Sequence, residues 1–320
     1  MTVPPDEENA SAVTHTPVML AEALTYLRPR RGGRYVDGTL GAGGHAEAIV
    51  EAAGDEAELL GMDWDAEARR VAGSRLARFG ERVRIVAATF ADIGEWLHRL
   101  GWDGADGILV DLGLSSLQVD VAERGFSFSR SGPLDMRMDR TRPLTAERWL
   151  GQVDEKELAW ALREYGEEPH ARRIARAILR ARERGELTDT AALASTVGRV
   201  TGRTLAHHPA TRTFQALRIA VNGELDNLER FLGEAYRWLR PGGRLVTLAY
   251  HSLEDRMVKQ AFRLWARSCL CPRSAPVCRC GWSSKVTILT PRPLRPSPSE
   301  VASNPRSRSA RLRAVERLAA

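Results

Sequence analysis

Long apolar runs and a secretion signal are both lacking in this chain, and each absence excludes a class of protein. No run approaches the roughly 18 apolar residues that a membrane-spanning helix needs. Residues 1–16 are acidic and polar, without the apolar centre of a signal peptide. We therefore expect a cytoplasmic protein with no membrane partner. Its 320 residues, of which 43% are hydrophobic and 28% charged, suit one large core and a second, smaller one.

Cysteine is scarce, and the four that occur all lie between residues 269 and 280. Cysteines this close together in the sequence do not form the disulfide framework of a secreted fold, and they suggest a metal site instead. Two Cys-x-Cys pairs separated by six residues can supply four thiolates to one tetrahedral, structural Zn²⁺. The spacing differs from the more familiar Cys-x-x-Cys, so reduced free thiols remain the alternative. The four residues are Cys269, Cys271, Cys278 and Cys280.

Lysine is also scarce, and arginine carries the positive charge. The net charge of +6 is concentrated near the end of the sequence, where residues 291–320 hold seven arginines and two glutamates. A basic segment of this kind can neutralise phosphates, which favours a nucleic-acid partner. The alternative is a solvated tail in a chain that uses arginine throughout. The seven are Arg292, Arg295, Arg306, Arg308, Arg311, Arg313 and Arg317.

Apolar segments of strand length alternate with helical patterns in the first third of the chain. This alternation predicts βαβ units and an α/β fold with a parallel sheet. From about residue 126 to 216 helical periodicity dominates, and we interpret this stretch as an inserted helical domain. A helix over 222–239 and an arginine-proline-glycine turn then precede another buried strand. The predicted strands are 35–37, 59–63, 83–87, 108–111 and 245–250, with edge strands at 286–289 and 312–315.

A glycine-rich turn follows the first predicted strand and indicates a ligand site. Gly41, Gly43 and Gly44 let the main chain approach a ligand closely because they carry no Cβ. Asp63 ends the next strand some 20 residues on, at the offset where a carboxylate binds ribose hydroxyls. Phe90 follows the third strand and can cover one face of an adenine. Together these residues point to an adenosine-containing ligand.

The charges around this turn discriminate between two such ligands. Asp37 and Asp63 both end strands at the expected cleft, and two carboxylates suit a cation better than a pyrophosphate. S-adenosylmethionine carries a sulfonium and an ammonium group, whereas a nicotinamide dinucleotide needs a different glycine spacing. The alternative is that the glycines only permit a tight turn and that the carboxylate only caps a helix.

Five longer motifs carry a family resemblance. They read DGILVDLGLSSLQ at 106–118, ERGFSF at 123–128, GPLDMRMD at 132–139, HPATRTFQALR at 208–218 and HSLEDR at 251–256. In order and spacing the chain resembles the bacterial ribosomal RNA small subunit methyltransferase H family, also called MraW, from about residue 15 to 317.

The resemblance implies a class I S-adenosylmethionine-dependent methyltransferase with a Rossmann-like, mostly parallel sheet. The methyltransferase domain is then discontinuous, 15–125 and 217–320, with a helical substrate-recognition insert at 126–216 and a flexible start at 1–14. The implied reaction is N4-methylation of a cytidine, position 1402 in the family, in the decoding region of 16S rRNA. The RNA is expected within a small ribosomal subunit or a late precursor, and the enzyme as a monomer or a homodimer.

Carried over by position, the resemblance implies a cofactor site. Its residues are Gly43, Gly44, His45, Asp63, Phe90, Asp111 and Gln118. Many amine methyltransferases carry an Asn/Asp-Pro-Pro-Tyr/Phe segment after the fourth strand, which this chain and the family lack. We therefore take Asp111, Ser115 and Ser116 as candidate acceptors for the amine N–H. His251 is a candidate proton acceptor or a group that contacts phosphate, and for all four loop-end hydrogen bonding is the alternative.

The segment 208–218 mixes cations with rings, a combination suited to phosphate contact and base stacking. Its candidate substrate-binding residues are His208, Arg212, Phe214 and Arg218. The alternative is a hinge between domains in which the phenylalanine is simply core. A non-catalytic RNA-binding assembly factor is the competing function, since sequence alone does not prove turnover.

Overall fold

A seven-stranded sheet lies at the centre of the computed structural model, which describes residues 17–201, 208–272, 275 and 277–319. The predicted flexible start at 1–14 lies outside the described residues, as does the side chain of Ser116. The strands are β1 (Arg34–Asp37), β2 (Glu58–Asp63), β3 (Val83–Ala87), β4 (Ala105–Asp111), β5 (Leu239–Ala249), β6 (Val286–Ile288) and β7 (Arg311–Arg317).

The strand order is β3-β2-β1-β4-β5-β7-β6. The first five strands in that order are parallel, and β7 runs antiparallel to both of its neighbours. The chain moves outward from β1 to β3 and then returns to β4, so the order reverses between β1 and β4. In open α/β sheets such a reversal opens a crevice beyond the carboxyl ends of the strands.

Helices cover both faces of the sheet, and others pack together apart from it. In chain order they are α1 (Leu20–Leu27), α2 (Gly44–Ala53), α3 (Ala66–Leu76), α4 (Ile93–Arg99), α5 (Ser116–Asp120), α6 (Ala146–Gln152), α7 (Glu155–Glu164), α8 (Ala171–Glu183), α9 (Thr190–Thr201), α10 (Thr211–Asn222), α11 (Glu224–Glu234), α12 (Ser252–Trp265) and α13 (Pro298–Ser303). Among the described helices, none has the length and apolar character to cross a membrane.

Three apolar cores follow from this arrangement. On one face of the sheet α4, α11 and α12 pack over β1, β2, β4 and β5, and on the other α1, α2 and α3 do so. β4 is buried along almost its whole length, as expected for a central parallel strand covered on both faces. The third core joins α6 to α10 with the segment 126–138.

The predicted strands are confirmed, including the two edge strands, and most of their ends agree within two residues. The turn predicted at 240–243 instead lies inside β5, where the pairing with β4 shifts register between Ala105 and Gly107. The helix predicted over 222–239 ends as an α-helix at Glu234 and continues as a 3₁₀ helix, Ala235–Trp238. The predicted boundary at 216 falls within α10, whose Leu217 packs in the helical core.

Asn222, the last residue of α10, fastens this helix to the segment 136–138. Its Oδ1 accepts a hydrogen bond from Met138 N at 2.8 Å. Its Nδ2 donates to Met136 O at 2.8 Å and to Arg218 O at 2.9 Å. All these groups lie in the interior, where an unpaired amide or carbonyl destabilises the fold.

We expect Asn222→Ala to lower the free energy of unfolding by about 3 kcal/mol, because two backbone groups lose their partner. Denaturant titration measures the change. Gln152→Ala, at an exposed position of α6, is the control and should stay within about 0.5 kcal/mol of the unmodified chain. Equal stability of the two variants would contradict this role of Asn222.

Candidate functional site

A cavity of about 750 Å³ opens beyond the carboxyl ends of the parallel strands. It lies where the strand order reverses, at the place that the topology dictates for a ligand. Its volume is within the range of small-molecule sites. The wall is formed largely by the residues that follow each strand, which are 38–42, Asp63, Trp64, 88–90, 111–115 and Tyr250.

Asp63, the last residue of β2, joins two of these loops. Its Oδ2 accepts a hydrogen bond from Gly41 N, and its Oδ1 accepts one from Asp65 N, both at 2.8 Å. Gly41 has a φ of +51°, in the left-handed region that favours glycine. Burial raises the pKa of Asp63 to about 6. The glycine turn and the acidic strand end are thus one hydrogen-bonded unit.

Asp37 and Asp111 end the two central strands beside it. Asp37 is fully buried, with Oδ1 accepting from Thr39 N at 3.1 Å, and its Oδ2 has no hydrogen-bond partner among the described residues. Burial raises its pKa to about 7. Asp111 lines the cavity, and burial raises its pKa as well. Burial raises the pKa of the Tyr250 hydroxyl well above its usual value, and the nearby Asp111 carboxylate raises it further.

The predicted glycines and His45 do not all face the cavity. Gly44 and His45 line it, and the His45 Nε2 lies 3.0 Å from Val18 O. Gly43 instead faces α3, because a Cβ there would lie 3.2 Å from the Ala72 Cβ. Its φ of +81° places it before α2 in the left-handed region. Gly43 therefore serves the turn and the packing of α2 on α3, in contrast to the expected ligand contact.

Phe90 and Gln118 both lie at the cavity. The Phe90 ring packs edge-to-face on Phe231, with 5.4 Å between centroids. Gln118 and Ser115 cap α5 reciprocally, since the Gln118 Oε1 accepts from Ser115 N and the Ser115 Oγ accepts from Gln118 N. The Gln118 Nε2 also donates to Asp65 Oδ2 at 3.2 Å. The side chains of Ser115 and Gln118 are thus held in place by hydrogen bonds at the first turn of α5.

His251 is placed differently from the other candidate proton acceptors. It lies at the start of α12, outside the cavity wall, and its Nδ1 accepts from Glu254 N at 3.5 Å. Its Nε2 lies 2.9 Å from the Glu254 Oε1, but without hydrogen-bond geometry. It is Glu254 that reaches the cavity. This position of His251 agrees with the alternative role, in which the side chain makes only a local hydrogen bond at the end of a loop.

A buried charged cluster also lines the cavity, and only one of its members, Arg218, is among the residues predicted from the sequence. The Arg218 Nε donates to Glu224 Oε1 at 2.8 Å, and its Nη2 lies 3.8 Å from Glu254 Oε1. The Glu254 Oε2 accepts from Tyr250 N at 2.8 Å. The motif at 251–256 contains Glu254, whereas no sequence signal marks Glu224.

The predicted RNA-binding segment is only partly available to a ligand. The His208 ring stacks on Phe128 at 4.3 Å, and Arg212 is exposed on α10. Phe214 is only 5% exposed and packs edge-to-face on Phe128 in the helical core. The prediction that Phe214 stacks on a base is therefore wrong, because Phe128 and the helical core already cover its ring. Arg218 is engaged by the carboxylates of the cavity.

Much of the basic charge at 291–320 is also engaged within the protein. Arg311 and Arg313 both pair with Asp255 on α12. Arg306 pairs with Asp120, and Arg317 donates to backbone carbonyl groups. Within the part of the chain that the structure describes, the exposed arginines of this segment that lack such a pairing are Arg292, Arg295 and Arg308. The surface charge available to a nucleic acid is thus smaller than the sequence suggests.

The predicted zinc ligands Cys269, Cys271, Cys278 and Cys280 come together, with all four Sγ atoms within 4.8 Å of one another. They lie in the connection between α12 and β6, and none of them lines the cavity.

The model of the MraW methylase family matches residues 12–318. The chain belongs to the MraW methylase family. Over 308 residues it is 52% identical to a ribosomal RNA small subunit methyltransferase H of Geobacter sulfurreducens, covering 95% of this chain and 99% of that protein. It is 50% identical over 318 residues to the protein of that name from Nitratidesulfovibrio vulgaris, covering 97% and 98%.

The predicted family and fold class are therefore confirmed. The methylase has the class I methyltransferase arrangement, in which five parallel strands are followed by an antiparallel β7 inserted beside β5. The helical elements between β4 and β5 interrupt this arrangement at the edge of the cavity.

Asp37 makes the stability of the ligand-free methylase depend on pH. Its pKa rises from 3.8 to about 7 on folding, so between these values the folded state binds more protons than the unfolded state. The charge on Asp37 therefore lowers the free energy of unfolding as pH rises through this window. Asp37→Asn removes this contribution and keeps the shape of the side chain.

We expect the free energy of unfolding of Asp37→Asn, minus that of the unmodified protein, to increase from pH 4 to pH 7. The increase is at most about 4 kcal/mol, at ~1.4 kcal/mol per pKa unit. Denaturant titrations at several pH values measure it, with Asp55→Asn at an exposed position as the control. A difference that does not change with pH would contradict a buried, protonated Asp37.

Proposed function

We propose that this methylase transfers the methyl group of S-adenosylmethionine to N4 of a cytidine, position 1402 in the family, in 16S rRNA. The observation that carries the proposal is the cavity beyond the parallel strands, where carboxylates end three adjacent strands in the interior. Membership of the family and the names of its relatives support a ribosomal RNA substrate. We place the reaction in the cytoplasm, on a small subunit or its late precursor.

The residues of the cavity fit this methyl donor by charge and shape. Its cationic groups suit a site in which burial opposes the ionisation of Asp37, Asp63 and Asp111, because a bound cation restores their charged forms. Each Asp63 oxygen makes one backbone hydrogen bond and keeps a lone pair for a ribose hydroxyl. Phe90 supplies an apolar wall for the adenine, and when bound the donor supplies an activated methyl group.

The remaining task of the protein is to orient the acceptor amine and to receive its proton. The N4 lone pair is delocalised into the cytosine ring, so alignment of the reacting atoms matters, and it can lower a barrier by roughly 7 to 11 kcal/mol. We propose Asp111 and Ser115, which both line the cavity, as the groups that accept hydrogen bonds from the amine, with the Asp111 carboxylate receiving the proton that methyl transfer releases. His251 then acts as a positioning residue through Glu254.

We propose the helical segment 126–216 as the substrate-recognition domain. It borders the cavity through Met138, which lines the wall, and it presents exposed Arg212 with the stacked pair of His208 and Phe128. Phosphate contacts from arginine orient an RNA without reading its sequence. None of the four cysteines lines the cavity, so we propose that a metal held by them has a structural role.

The decisive experiment incubates the protein with labelled S-adenosylmethionine and either naked 16S RNA or isolated small subunits. We expect label in the RNA, located at N4 of one cytidine by mass spectrometry of nuclease fragments. Binding of subunits with no transfer to any RNA form would favour the non-catalytic assembly factor. Transfer to a ring carbon or to a ribose hydroxyl would refute the assigned acceptor atom.

Asp63→Ala should weaken S-adenosylmethionine binding by on the order of 1.5 to 3 kcal/mol, because a charged hydrogen-bond acceptor is lost. Isothermal calorimetry measures the affinity, and Glu95→Ala at an exposed site on α4 is the control. The variant also frees the amides of Gly41 and Asp65, so circular dichroism must show an intact fold. Unchanged affinity in the folded variant would remove Asp63 from the proposed site.

Arg212→Ala should raise the KM for the RNA substrate and reduce the salt dependence of RNA binding by about one unit of slope. Affinity for S-adenosylmethionine should stay unchanged, because Arg212 lies outside the cavity wall. Arg70→Ala on α3, where the arginine is exposed and paired with Glu67, is the matched control. Equal salt slopes for both variants and the unmodified protein would place the RNA elsewhere.

A further inference from the structure

The four cysteines form a compact cluster of sulfur atoms on the surface. The Cys269 Sγ lies 3.4 Å from that of Cys278 and 3.7 Å from that of Cys280. The Cys278 and Cys280 sulfurs are 3.6 Å apart, and Cys271 completes the group within 4.8 Å. These are all the cysteines of the chain, so the whole thiol content of the protein is gathered at one point.

The separations between sulfur atoms match those around a tetrahedral metal ion. Four thiolates bound to Zn²⁺ at ~2.3 Å stand roughly 3.8 Å apart along each edge of the tetrahedron. A disulfide instead needs two sulfurs at about 2.0 Å, and two bridges would leave the pairs free to separate. The three separations among Cys269, Cys278 and Cys280, which are 3.4, 3.6 and 3.7 Å, lie near the length of this edge.

Backbone amides point at three of the four sulfurs. Leu270 N donates to the Cys280 Sγ at 3.3 Å, and Cys271 N donates to the Cys269 Sγ at 3.3 Å. Arg279 N donates to the Cys271 Sγ at 3.4 Å. Such N–H groups stabilise the negative charge of thiolates and fix the orientation of metal ligands.

The connection between α12 and β6 has no apolar core of its own. None of its described residues between 267 and 285 belongs to the three cores, and Leu270 and Val277 are 38% and 66% exposed. Polar contacts join its two ends, where Trp282 Nε1 donates to Arg267 O and Lys285 N donates to Trp265 O. A metal ion can supply the free energy that orders such a segment.

We propose that Cys269, Cys271, Cys278 and Cys280 bind one structural Zn²⁺ that closes the segment 269–280 into a fixed loop. The site is closed, with four protein ligands and no position left for a substrate, as in other Cys₄ structural zinc sites. Four thiolates around one Zn²⁺ carry a net charge of about −2. Arg267, Arg279 and Lys285, which are close to the cysteines in sequence, carry charge of the opposite sign. The proposal does not depend on the proposed methylation reaction.

Elemental analysis of protein purified without added metal tests the proposal first. We expect about one equivalent of zinc per chain and four thiols that react with a thiol reagent only after chelation. Cys280→Ser should lose most of the zinc, whereas Ser283→Ala, nearby and exposed, should retain it. Replacement of zinc by Co²⁺ should give the visible absorption of a tetrahedral thiolate site in the control but not in Cys280→Ser.

A second readout follows the loop itself. Trypsin should cleave at Arg279 in the chelated protein and in Cys280→Ser, while the zinc-loaded protein and Ser283→Ala resist. Affinity for S-adenosylmethionine should be equal in all forms, because the cluster lies outside the cavity wall. Zinc below about a tenth of an equivalent with freely reactive thiols would overturn the proposal. So would stoichiometric iron, or resistance to trypsin that does not depend on metal.

Discussion

Burial of three carboxylates at the ends of neighbouring strands is the constraint on which the site depends. The order β2-β1-β4 brings Asp63, Asp37 and Asp111 side by side, and each has a raised pKa because burial opposes its charge. One of them is already used for structure, since Asp63 accepts backbone amides from the loops after β1 and β2. The same carboxylate therefore shapes the glycine turn and sets the electrostatic character of the cavity.

A second group of charges connects the helical core to this wall. Arg218 on α10 meets Glu224 at the start of α11 and Glu254 at the start of α12. Because both carboxylates are buried, loss of the arginine would leave two uncompensated charges, which is far costlier than loss of an exposed pair. The orientation of α10 and the polarity of the cavity are thus coupled through one side chain.

The sequence was sufficient for most of the sheet and for the position of the cavity, because periodicity and strand-end residues depend on local patterns. The sequence was insufficient to predict the role of a residue where that role depends on the direction of its side chain. Phe214 has the composition of a stacking platform, but helical periodicity also places it in the core, and Phe128 covers it. Gly43 belongs to a ligand-binding pattern, yet its missing Cβ makes room for α3. Only the tertiary packing of segments that are apart in the sequence reveals either fact.

The separation of β4 from β5 along the chain has a consequence for the order of folding. The two strands pair in register from Gly107 with Arg244 to Asp111 with Leu248, across the whole intervening segment 112–238. Closing so long a loop costs entropy, and strand pairing at this separation is slow. The helices within the segment contact their sequence neighbours and can form earlier. The cavity, which requires β4 and β5 together, is therefore completed late, and a chain emerging from the ribosome acquires its ligand site only after the helical segment has folded.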